Sequence, residues 1–324
     1  MRTMFSVVSI AAAAVFAAGI FAASTEPIPW AYAIPPAPPA GTPPATPAPD
    51  TSVKHLAGSS GAFTRAQISD RFGPADWYPG DHPTMPDIVA HGKKPDVWAC
   101  GLCHYPNGKG RQENAGVSGL PVEYFIQTMN DFKNGLRKSA EPRKNNAKLM
   151  AAFAKGMTDE EIKAAAEYFG SMKWTPWIEV IETNTVPKTK NNNGMFLVEG
   201  AEKEPLGKRI LETPKNAEAT EVLRDDHSGF FAYVPVGSIK RGEALATKGA
   251  KTTRCAACHG ANLEGLGPVP GIAGRSPSYL MRQMYDMQQG ARNGPWTQLM
   301  KPVVANLSEE ELLDIVAYTA SRTP

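Results

Sequence analysis

Cys100-Gly101-Leu102-Cys103-His104 recurs 155 residues later as Cys255-Ala256-Ala257-Cys258-His259. C-x-x-C-H is the attachment signature of c-type haem. Two thiols one helical turn apart can form thioethers with the two vinyl groups of one haem. The residue that follows then places an imidazole under the iron. A thioredoxin-like redox pair needs no histidine after its second cysteine, and a zinc ribbon closes its two knuckles across a short loop. All four cysteines of the chain lie in these two motifs, so none is left for a disulfide. The pattern predicts two covalently attached haem c groups, held by Cys100, Cys103, Cys255 and Cys258, with His104 and His259 as iron ligands.

The repeat extends well beyond the motifs. At the same offset Gly119 matches Gly274, Tyr124 matches Tyr279 and Met129 matches Met284. Asp131, Gly135 and Arg137 match Asp286, Gly290 and Arg292. The offset then falls to 150, so the first unit carries five extra residues between Leu136 and Leu149. Leu149-Met150 matches Leu299-Met300, and Tyr168 matches Tyr318. Tyr124, Thr128, Met129 and Phe132 share one helical face, as do Tyr279, Gln283, Met284 and Met287. Capping boxes at Thr158-x-x-Glu161 and Ser308-x-x-Glu311 open a final helix in each unit. Ile162, Ala165, Ala166 and Phe169 form the buried stripe of one, and Leu312, Ile315 and Val316 begin that of the other.

An iron held by histidine on one side needs a second axial ligand or an open site. Methionine sulfur is the usual choice in electron-transfer cytochromes c and raises the potential. Met129 and Met284 fall on apolar helix faces and read as packing. Met150 and Met300 are assigned to loops that fold over the haem, 46 and 41 residues after the respective histidines. They are the expected sixth ligands. His82, His91 and Met85, in a turn-rich approach to the first motif, read as structural, and His227 as a surface residue.

Lys and Arg total 34 against 32 Asp and Glu, a formal charge of +2, which makes no case for a nucleic-acid partner. Gly and Pro, 29 each, predict much irregular chain. Aromatics are only 8%, but two macrocycles would supply much of the core. Arg2 precedes an apolar run from Phe5 to Ala23, which reads as a secretory signal or an uncleaved membrane anchor. Ala22-Ala23-Ser24 and Ala31-Tyr32-Ala33 both offer a cleavage site. Export agrees with haem attachment, which in bacteria occurs beyond the inner membrane, and predicts a periplasmic protein.

The expected organisation is a signal peptide or anchor over 1–33 and a Pro-rich linker over 34–53. A first haem domain over 54–173 follows, then a connector over 174–240 and a second haem domain over 241–324. The connector is expected to be largely irregular, with short β segments at Trp177–Ile181, Met195–Val198 and Phe230–Val236. It has a hairpin turn at Asn191-Asn192-Asn193-Gly194 and is expected to drape over both haem units.

The order of C-x-x-C-H, middle helix, methionine and final helix resembles the class I cytochrome c fold. Two such units behind an export signal resemble the dihaem cytochrome c4 family. The stretch Leu299-Met300-Lys301-Pro302-Val303-Val304-Ala305-Asn306-Leu307-Ser308-Glu309-Glu310-Glu311-Leu312 is similar to that family's ligand loop and final helix. The resemblance covers about 145 residues and implies a mainly α protein of two tandem domains with two His/Met haems. It also implies a periplasmic electron carrier. Its donor would be a quinol-oxidising complex or a dehydrogenase, and its acceptor a terminal oxidase or reductase. A dihaem peroxidase, which also has two C-x-x-C-H motifs but needs an open iron, is the alternative, as is a cytochrome subunit of a dehydrogenase complex. Class I cytochromes place a proline whose carbonyl accepts the proximal imidazole proton. Gly267-Pro268 fits that in the second unit, whereas Glu113 occupies the matching place in the first. That difference predicts unlike surroundings for the two haems.

Overall fold

The computed structural model describes residues 28–35, 50–249 and 251–324. The apolar run Phe5 to Ala23 and most of the Pro-rich tract lie outside the described residues. Within them no helix is long and apolar enough to cross a membrane. A short helix, α1 (Pro29–Tyr32), begins the described chain. The first unit then comprises α2 (Cys100–His104), α3 (Val122–Lys133), α4 (Asn145–Gly156) and α5 (Asp159–Ser171). The connector carries five strands: β1 (Ile178–Glu182), β2 (Thr185–Asn192), β3 (Met195–Pro205), β4 (Leu211–Pro214) and β5 (Phe230–Val234). The second unit comprises α6 (Ser238–Lys248), α7 (Ala256–His259), α8 (Pro277–Gln288), α9 (Thr297–Val304) and α10 (Glu309–Ala320).

Both final helices start as their sequences dictate. Thr158 and Ser308 each accept from the backbone N–H three residues on, and the side chains of Glu161 and Glu311 return the bond to the cap. Asp159 to Glu161 and Glu309 to Glu311 also put negative charge on the positive end of each helix dipole. Ile162, Ala165, Ala166 and Phe169 are buried in the first core, and Leu312, Ile315 and Val316 in the second. The matched glycines Gly119 and Gly274 have φ of +69° and +65°, and a Cβ on either would press on the chain that leaves the final helix. Their repetition therefore has a steric cause.

The units differ at their entry. In the second, α6 crosses α10 so closely that a Cβ on Gly242 would lie 1.9 Å from the Asp314 carbonyl oxygen. In the first, the corresponding helix is a single turn, Asp87–Ala90.

The connector is more ordered than expected. Its short β segments are present, but β2 and β3 form a long antiparallel hairpin, kinked between Pro187 and Thr189. Asn193 (φ 51°) and Gly194 (φ 92°) form its two-residue turn, the left-handed pair that suits twisted strands. β5 lies between β1, parallel to it, and β4, antiparallel. The connector touches both units. Trp177 donates from its indole to the Gly110 carbonyl at 3.1 Å. The Glu212 carboxylate accepts from the Ser276 hydroxyl (2.8 Å) and the Ser278 N–H (2.7 Å), at the start of α8. Asn107 donates to the Asp226 carbonyl oxygen at 2.6 Å.

The stretch up to residue 33, expected as a signal peptide or anchor, ends in a packed element. Ile28, Ala31 and Tyr32 are buried in the core of the second unit, and Ala33 is buried as well. The Tyr32 hydroxyl donates to Asp286 at 2.6 Å. Cleavage after Ala33 would remove this wedge, whereas cleavage after Ala23 keeps it. Intact-mass measurement on the exported protein is expected to find Ile28–Ala33 retained.

Two stability predictions follow from packing. Gly242→Ala is expected to cost about 3 kcal/mol, the upper end of overpacking penalties, in denaturant unfolding. Asp226 is buried, and desolvation raises its carboxyl to about 6, with Asp225 and Asp76 adding to the rise against His227. A carboxyl raised in the fold stabilises only while protonated, so that contribution is present at pH below 4 and lost as pH rises through about 6. Asp226→Asn should therefore raise the melting temperature at pH 7.5 and leave it unchanged at pH 3.5.

Candidate functional site

The two C-x-x-C-H segments are single turns of helix, each followed by a loop that returns under its histidine. His104 Nδ1 lies 2.8 Å from the Ala115 carbonyl oxygen, and His259 Nδ1 lies 2.8 Å from that of Pro270. A carbonyl can only accept, so Nδ1 carries the proton in both rings and the Nε2 lone pair is free for a metal. Burial lowers the pKa of both imidazoles, which keeps them neutral as ligation requires. The acceptor is thus neither Pro268 nor Glu113, correcting the expectation that the two units differ here. It stands eleven residues after the histidine in each. Any residue supplies a backbone carbonyl, so side-chain identity was a poor guide to it.

Each histidine opens onto a large, mostly apolar cavity. The first is lined by Cys100, Cys103, His104, Met129, Met150 and Met157, with Phe125, Phe132, Phe153 and Phe169 around them. The second is lined by Cys255, Cys258, His259, Met284, Met287 and Met300. Met150 and Met300 are not in loops. They lie in α4 and α9, and only their arrival at the cavity matches expectation. The run Asn145–Gly156 is rich in Ala, Lys, Leu and Met, strong helix formers. Helical spacing then turns Ala147, Met150, Phe153 and Met157 to one wall. His82, His91, Met85 and His227 line neither cavity. His82 pairs with Asp76 at 3.3 Å, and His227 pairs with Asp81 at 2.7 Å and stacks on Tyr78.

The cavities adjoin at their polar inner edges, where both are lined by Tyr124, Thr128, Tyr279 and Gln283. Here the repeat becomes a pseudo-two-fold interface. Arg137 donates to the Tyr279 hydroxyl at 2.9 Å, and its counterpart Arg292 donates to the Tyr124 hydroxyl at 2.8 Å. Both guanidiniums also reach Gln283 Oε1. Backbone bonds from Lys138 to Ala291 (2.9 Å) and from Asn293 to Leu136 (2.7 Å) close the contact. Sequence matching had paired these tyrosines and arginines but assigned them no role.

The inner edges are electropositive. Arg137, Lys138, Lys144 and Arg282 line the first cavity against Glu113 and Asp286. Arg254, Arg275 and Arg292 line the second against Asp131. Burial raises the Tyr124 pKa, but Arg292 and Arg137 outweigh it and bring the hydroxyl down to about 8. The lining of each cavity thus carries two more cations than carboxylates, four against two and three against one, and the Arg292 Nε is buried without a hydrogen-bond partner among the described residues. Haem c fits this set: cysteines for its vinyl groups, a neutral imidazole for its iron, apolar walls for its ring and cations for its two carboxylates.

The cytochrome c family profile matches residues 89–173 and 239–323. Cytochrome c-554(548) of Halomonas halodenitrificans is 38% identical over 73 residues, 22% of this chain and 88% of that protein. Cytochrome c4 of Azotobacter vinelandii is 25% identical over 225 residues, 68% of this chain and 82% of that protein, so that likeness runs through both units. A thiosulfate dehydrogenase electron acceptor of Stutzerimonas stutzeri is 40% identical over 72 residues, 22% of this chain and 32% of that protein.

Replacing both Cys255 and Cys258 by Ala should leave one covalently bound haem per chain in place of two. Mass spectrometry of the denatured protein reads this directly.

Proposed function

We propose, from the premise that this chain belongs to the cytochrome c family as a dihaem, cytochrome c4-like member, that it passes single electrons between periplasmic redox proteins. It holds two covalently bound haem c groups, one per unit. When bound, each supplies a one-electron ferric–ferrous couple. In this reading His104 and Met150 would hold the iron of the first haem, and His259 and Met300 that of the second.

The observation that carries the reading is the paired construction of the cavities. Each joins one imidazole, held by a backbone carbonyl, to a methionine eight residues before the N-cap of a final helix. The carbonyl fixes the ring and its tautomer, so the histidine changes little as the charge on the iron changes. Apolar walls exclude water, which favours the less charged ferrous state and limits reorganisation. Adjoining inner edges put the two sites within one continuous interior. The relative named as an electron acceptor of thiosulfate dehydrogenase supports a dehydrogenase as donor, alongside a quinol-oxidising complex. A terminal oxidase or reductase is the corresponding acceptor.

The test is the absorption spectrum of the purified protein with carbon monoxide. The intact protein should show a weak far-red sulfur-to-iron band and no response to carbon monoxide. Met150→Ala and Met300→Ala should each remove about half of that band and open one iron to carbon monoxide, while Met129→Ala keeps the band whole. An unchanged spectrum in Met150→Ala would refute the ligand assignment in the first unit. Carbon monoxide binding by the intact protein would favour peroxide chemistry instead.

A further inference from the structure

Lys144 is a buried ammonium in a place the repeat does not explain. It lies between Arg137 and Leu149, the stretch in which the first unit carries five extra residues, just before α4. It lines the first cavity and is 6% exposed. Its ammonium donates to the Tyr32 carbonyl oxygen at 3.0 Å. Arg282, 5% exposed, lines the same cavity and donates to the carbonyl oxygens of Ala31 (2.7 Å) and Gln112 (2.9 Å). The N-terminal wedge thus holds two cations with neutral acceptors. A buried charge is costly without an anion. Burial, with the charge of Arg282 adding to it, lowers the Lys144 pKa to about 7, only partly opposed by Glu113. The two anions on this cavity are engaged elsewhere. Glu113 pairs with Arg111 at 2.6 Å, and Asp286 accepts from the Tyr32 hydroxyl and from the Ala140 N–H at 2.7 Å.

We propose that Lys144 and Arg282, aimed by the segment Ile28–Ala33, form a carboxylate-binding wall of the first cavity, and that Lys144 sets the potential of the first haem independently of the second. This rests on the first cavity holding its haem and deepens that reading. A cation beside the haem carboxylates favours the ferrous state, so its removal lowers the potential. The second unit has no lysine at this place, so its haem should not respond.

The test is an optical redox titration of full-length dihaem protein carrying Lys144→Gln, with the haem count and the far-red band measured alongside. With two haems retained, one midpoint potential should fall and the other stay in place. Lys144→Arg should restore the first, and Lys148→Gln, at an exposed position of α4, should move neither. If Lys144→Gln fails to fold, Lys144→Met, which keeps the aliphatic stem, carries the same comparison. Two haems with both potentials unmoved, or both lowered alike, would overturn the proposal and leave the dihaem reading standing.

Discussion

Neither haem unit can close its own inner edge. Arg137 and Arg292 are buried, and a guanidinium out of water requires oxygen partners. Each finds a tyrosine hydroxyl on the opposite unit, and both share Gln283. The pairing of two similar units follows from this exchange. One duplicated sequence supplies both donor and acceptor, so the contact is self-complementary in the manner of a two-fold dimer, within one chain. It also places the polar ends of the two cavities side by side.

The symmetry is broken by what was added to the repeat. The entry helix of the second unit, α6, is eleven residues long, where the first unit has the single turn Asp87–Ala90. The connector covers the loop after the first motif through Trp177 and Asp226 and braces the start of α8 through Glu212. The wedge Ile28–Ala33 fills the space near Arg282 and Lys144. The first C-x-x-C turn has Gly101 and Leu102 buried, whereas Ala256 and Ala257 of the second are exposed. Two sites built alike around their imidazoles therefore sit in unlike surroundings. The difference comes from neighbouring elements and not from the imidazole–carbonyl bond, which is the same in both.

What could be read from the chain and what could not divides by range. The cysteines, the histidines, the repeat, both capping boxes and both buried stripes are local patterns, set by covalent chemistry, helix-end hydrogen bonding and a 3.6-residue period. They were legible because each acts over a few residues. The secondary structure around Met150 and Met300 was misread, since a ligand's task suggested a loop while the helix formers around Met150 made a helix. The imidazole acceptors were missed because a backbone carbonyl leaves no mark on residue type. The role of Ile28–Ala33 was hidden because its apolar residues read equally well as the tail of an export signal and as core.

The sequence by itself determined the cofactor, its number and its attachment, because thioether chemistry needs two thiols and an imidazole at one fixed spacing. It also determined the tandem helical plan, because the same local signals appear twice. Only the tertiary structure decided which side chains meet between the units and which methionines reach a cavity. It also decided where unpaired positive charge gathers. Those are sums over residues far apart in the chain, such as Tyr32, Lys144 and Arg282, which packing alone brings together.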